Sequence, residues 1–206
     1  MKRLMIYSKQ KLPDLSGGKD MIKKNGILIF LIVVFMCGLI TGISVFFGAE
    51  HERELISMFS ERFTNRSPLQ FFLYGLVMNG VPMIIALLGG VSAAGIPFVV
   101  AVPFVKGVFD GILSAYLIGT YMTSGYGYYA LITVPGGCIG VFSLLYLCDM
   151  CFSVSQKVFR TSFTEMRENI NTPKMLTVFG ICLLGGVASS LLQLLTKLIF
   201  GGIFRL

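Results

Sequence analysis

Apolar residues run in long stretches along this chain, and charges are confined almost entirely to the connections between them. The first stretch, Gly26 to Phe47, carries no charged residue. A helix needs about 20 mostly apolar residues to cross the hydrocarbon core of a bilayer. Four more stretches meet that requirement, at about 69–88, 96–117, 128–151 and 175–200. The pattern predicts an all-α fold, a polytopic bundle of about five transmembrane helices. Residues 26–200 then form a single transmembrane domain.

The polar connections have patterns of their own. In residues 48–67, Leu55, Met58, Phe59 and Phe63 recur at three- and four-residue spacing among Glu50, His51, Glu52, Arg53, Glu54, Glu61, Arg62 and Arg66. That spacing predicts a short amphipathic helix lying along the membrane surface. In residues 152–174, Val154, Val158, Phe159, Phe163, Met166 and Ile170 fit one helical face, with Lys157, Arg160 and Arg167 at headgroup level. Gly89 to Gly95 and Thr120 to Gly127 carry no charge and predict tight turns. Ser67 followed by Pro68 predicts a helix start, with a capping hydroxyl and then proline at the first helical position. Pro135, Gly136 and Gly137 predict a kink or break in the fourth span.

Composition removes the alternatives to a membrane bundle. Of 206 residues, 55% are hydrophobic and 13% charged, against about 25% charged in a soluble domain. Five spans and their connections leave no stretch for a separate folded domain. The net charge of +7 comes largely from an amino-terminal tail, residues 1–25, and from the late polar segment. Orientation and contact with anionic headgroups explain it better than nucleic acid. Eleven Lys and Arg fall in the tail and in residues 152–174; four fall in residues 48–67 and the carboxyl-terminal tail. The positive-inside rule then predicts a cytoplasmic amino terminus, with 48–67 extracytoplasmic and 152–174 cytoplasmic. The first apolar run exceeds the roughly 7–15 residues of a signal-peptide core, so it is read as an uncleaved span.

Candidate chemistry is sparse. Lys106 and Asp110 lie four apart within the third span, where an unpaired charge costs about 2.5–3.5 kcal/mol on insertion scales. Sharing a helix face, they can neutralise each other as an intramembrane ion pair; the functional alternative is an ion or proton path, or a contact with a partner. Gly107, Gly111, Ala115 and Gly119 form a small-residue stripe beside them, and Gly38 with Gly42 repeats the pattern in the first span. Such stripes predict close helix packing. Cys148 and Cys151 sit inside an apolar helical run, which favours packing over redox or metal work. His51 is the only histidine. No nucleophile–base pair, metal-ligand cluster or P-loop stands out, so no catalytic residue, metal site or cofactor is expected.

The stretches GIPFVVAVPFVKGVFDG (Gly95 to Gly111) and LIGTYMTSGYGYYALITVPGGCIGVF (Leu117 to Phe142) resemble the stage II sporulation protein M family of bacterial integral membrane proteins. The chain length, basic tail and polar segment after the first span fit as well. The resemblance implies a non-enzymatic scaffold in the mother-cell membrane at the septum. Such a scaffold recruits stage II sporulation proteins D and P, which degrade peptidoglycan as the membrane engulfs the forespore. Many members outside sporulation carry Pro-His-Gly and then a glutamate in the fourth span; here those positions read Pro135, Gly136, Gly137 and Gly140. Expected partners are other membrane-anchored proteins and the lipid bilayer, with no nucleic acid and no small-molecule ligand. Phe59 and Phe63 are the candidate partner contacts. The competing reading is the membrane subunit of an ATP-driven exporter; an intramembrane enzyme ranks below both.

Overall fold

The computed structural model describes residues 16–48, 67–92, 95–164 and 172–200. Helix α1 spans Ser16–Gly48, α2 Pro68–Val91, α3 Ile96–Tyr128, α4 Val134–Thr164 and α5 Thr172–Phe200, with a π-helical stretch, Tyr129–Thr133, between α3 and α4. All described elements are helical because an apolar run in hydrocarbon must satisfy its own backbone N–H and C=O groups. Among the described residues, four helical stretches are long and apolar enough to cross a membrane: Gly26–Gly48, Pro68–Val91, Ile96–Phe159 and Met175–Phe200. Of the segment 48–67, where an amphipathic helix is expected, residues 49–66, with Phe59, Phe63 and His51, lie outside the described residues. So does most of the amino-terminal tail.

The third stretch has 64 residues. Straight, it would reach about 96 Å, some three times the thickness of the hydrocarbon core. It does not run straight. Met122 has φ 48° and ψ −121°, a backbone conformation no helix accepts. The chain folds back there. Gly125 presses onto the carbonyl of Leu117 so closely that a Cβ would not fit, and Lys106 and Leu145 line a common cavity. The turn expected over Thr120 to Gly127 is thus a single non-helical residue with helix on both sides.

Two other local features differ from the sequence reading. Pro68 does open α2, but the Ser67 side chain makes no capping hydrogen bond; the Ser67 carbonyl instead accepts from Phe71 N–H at 3.0 Å. The irregularity near Pro135 lies just before it, where Val134 N–H reaches back five residues to the Tyr129 carbonyl. Proline has no N–H to offer the preceding turn, and a wider π turn absorbs the mismatch without breaking the helix.

Side-chain pairings give the helix directions. Gly38 meets Phe104 and Gly42 meets Val108, so α1 and α3 run parallel. Asn79 meets Gly140 and Gly90 meets Cys151, so α2 and α4 also run parallel. Gly136 against Gln193 and Gly185 against Ser143 make α5 antiparallel to α4. Among the described residues the core has two clusters. One gathers Leu31, Phe35, Met83, Val99, Leu144 and Leu147, with the free, buried Cys148, Cys151 and Cys182. The other joins Phe46, Phe71, Ala115, Tyr116, Tyr128 and Ile132. There Phe46 and Tyr116 pack edge to face at 6.4 Å, and Lys197 sits 4.3 Å over the Phe71 ring.

Candidate functional site

Lys106 and Asp110 stand one turn apart on α3, and Lys106 Nζ donates to Asp110 Oδ1 at 2.6 Å. Their side chains are 12% and 25% exposed. Both line a cavity of about 540 Å³. Its walls come from all five helices: Phe35 and Leu39 of α1, Tyr74 and Asn79 of α2, Lys106 and Asp110 of α3, Gly137 and Val141 of α4, and Gln193 of α5. Tyr129 and Thr133 of the π stretch complete it. Tyr129 faces Asp110 and Ser114 across the chain reversal. The arrangement offers a cation, an anion and neutral polar groups on the wall of an otherwise hydrocarbon-lined space.

A second polar cluster closes the bundle beside the cavity. Asn79 Nδ2 donates to Ser189 Oγ at 3.2 Å and to Ser190 Oγ at 3.4 Å. Ser189 Oγ in turn donates to the Gly136 carbonyl at 2.6 Å. All three side chains are buried. In hydrocarbon an unmet polar group is costly, so such groups tie helices to one another. Here they tie α2, α4 and α5. Nothing in the apolar periodicity marks Ser189, Ser190, Gln193 or Tyr129, since isolated polar residues in a span read as tolerated exceptions. Their shared helix faces with Gly136 and Asn79 become visible only when α5 is placed.

The small-residue stripes meet each other. A Cβ on Gly38 or Gly42 would fall on the Phe104 or Val108 carbonyl of α3. One on Gly107 or Gly111 would fall on the Phe35 or Leu39 carbonyl of α1. Ala115 is buried in the second cluster, and Gly119 lies under the Phe46 ring, 3.2 Å from where a Cβ would stand. Gly136 and Gly140 serve α2 and α5 likewise: a Cβ at 140 would lie 2.9 Å from Ser189 Oγ and 3.0 Å from Asn79 Oδ1.

The model of the family described as Stage II sporulation protein M matches residues 28–199. The chain belongs to that family. The match spans the helical bundle from the start of the first apolar run to the last turn of α5, and so includes the cavity and both glycine faces. Membership makes the chain a sporulation-related, multi-pass membrane protein. No curated protein and no solved structure matches it.

Proposed function

We propose that the chain is a non-enzymatic membrane scaffold of sporulation. In this reading it crosses the membrane five times, with the amino terminus in the cytoplasm, and recruits peptidoglycan hydrolases to the septal and engulfing membrane. The membrane-anchored stage II sporulation proteins D and P are the partners this reading names. Family membership over the whole bundle carries it. The helix directions support five crossings: α1, α3 and α5 run one way and α2 and α4 the other, with the reversal at Met122 dividing the 64-residue stretch in two.

A scaffold of this size needs an outside segment to grip an extracytoplasmic enzyme. Residues 48–67 have the charge and the aromatic side chains for it, and aromatic residues often dominate interfaces. The test is septal localisation of a fluorescent hydrolase partner in sporulating cells. Phe59→Ala with Phe63→Ala is expected to weaken recruitment while the protein accumulates normally. Normal recruitment by that variant would move the contact into the spans.

The cavity favours a second reading, a transport subunit, because polar groups from several helices converge on it. A subunit of an ATP-driven exporter would co-purify with an ATPase. The scaffold would co-purify with the hydrolases.

A further inference from the structure

The cavity is mostly hydrocarbon with a few polar groups set in its wall. Lys106, Asp110, Tyr129, Thr133 and Gln193 are polar, and so is Asn79, opposite Gly140; Ile32, Val141 and Leu145 offer only hydrocarbon. Its wall extends from Tyr129 to Leu145, about 24 Å at the helical rise of about 1.5 Å per residue. Tyr129 lies about 10 Å along the chain from the reversal at Met122. The mouth opens sideways. Met36, Phe109 and Phe142 line it and are 53%, 52% and 66% exposed, so they face lipid. The volume of about 540 Å³ falls within the roughly 300–1,000 Å³ of small-molecule sites, which are mostly apolar with a few placed polar groups. Water finds few partners where such a slot is lined by hydrocarbon.

We propose that this cavity binds a membrane amphiphile: one apolar chain laid along α4, with an uncharged hydroxyl- or amide-bearing head against Lys106 and Asp110. The ion pair sets a donor and an acceptor side by side with no net charge. An ammonium has three N–H donors and a carboxylate two acceptor oxygens, and their mutual contact uses one of each. A hydroxyl or amide head accepts from Lys106 and donates to Asp110. A charged head would bring an unbalanced charge to a depth where a lone charge is expensive. The proposal goes beyond the scaffold reading and does not depend on it, since it concerns a ligand of the bundle rather than a hydrolase.

The experiment uses the full chain in phospholipid nanodiscs and three photoactivatable probes with the same diazirine-bearing tail: a monoacylglycerol, a fatty acid and an alkylamine. Labelled residues are mapped by peptide mass spectrometry. The monoacylglycerol is expected to label residues 133–145 more densely than the lipid-facing surface of α5 around Leu184. Gly137→Leu fills the space from within, because a Cβ there meets only Gln193 Nε2 at 4.0 Å. Loss of the space for the chain should cut cavity labelling by about tenfold. Lys106→Met with Asp110→Asn should keep tail labelling but abolish the preference for the neutral head. Three outcomes would overturn the proposal: equal labelling of the wild type and a folded Gly137→Leu, cavity labelling no denser than around Leu184, or stronger labelling by either charged probe. Should Gly137→Leu not fold, Val141→Phe fills the hydrocarbon-lined space and is read the same way.

Discussion

Asp110 holds its position in the bilayer because Lys106 lies one turn earlier on the same face, 2.6 Å away. Removing one partner leaves the other as an unbalanced charge, at a cost of about 2.5–3.5 kcal/mol on insertion scales. Asp110→Asn should therefore lower the amount of protein that accumulates in the membrane, measured by quantitative immunoblot. Adding Lys106→Met should recover much of it. A double variant no better than the single would mean that the pair does more than neutralise itself. Asn79 has a different kind of dependence, since its amide is met from another helix. Interhelical hydrogen bonds in membranes average about 0.6 kcal/mol. Asn79→Ala should lower thermal stability in detergent by a correspondingly small amount, less than Asp110→Asn does.

At the scale of helices, glycine position decides how near two backbones come. Gly38 and Gly42 on α1 and Gly107 and Gly111 on α3 each lie on a carbonyl of the opposite helix. A side chain at any of the four must push the helices apart and lose the packing that replaces hydrophobic driving force in lipid. Gly80 and Gly180 have nothing within 4 Å of a built Cβ. Gly107→Leu with Gly111→Leu should sharply reduce accumulation, whereas Gly80→Ala and Gly180→Ala should be silent. Thermal melting of each purified variant in one detergent would check the contrast. Equal sensitivity of all four positions would mean that glycine content, rather than the α1–α3 crossing, sets stability. Gly136 and Gly140 extend the argument to α4. With α5 and Asn79 pressed against them, the histidine and glutamate of Pro-His-Gly relatives could enter here only if α5 stood further off.

For the whole molecule, the alternating helix directions and the charge asymmetry of the connections make a joint prediction. Reporter fusions at residue 57 and at the carboxyl terminus should report outside, and a fusion at residue 165 inside. A carboxyl terminus inside would mean that the stretch through Met122 counts as one crossing rather than two. By the positive-inside rule, the basic tail and residues 152–174 are expected together in the cytoplasm. The parallel packing of α1 with α3 and of α2 with α4 is what that alternation requires.

The apolar runs by themselves determined that the chain is helical and membrane-spanning, because backbone groups in lipid must bond within their own segment. The residues from Gly95 to Phe142 were enough to indicate the family. The spacing of Lys106 and Asp110 made their pairing readable, since neighbours four apart on a helix meet wherever that helix is placed. Only the tertiary structure decided that the turn expected over Thr120 to Gly127 narrows to one non-helical residue, Met122, with helix on both sides. It also decided that Ser67 leaves the first turn of α2 to backbone groups, and that the α1 and α3 glycines face one another. The cavity and the Asn79–Ser189–Gly136 cluster depend on residues more than fifty positions apart. Periodicity reports which way a side chain points from its own helix, not which helix stands opposite. In lipid, where apolar faces do not distinguish a neighbour from solvent, that choice is made by packing and by the few polar groups that must find each other.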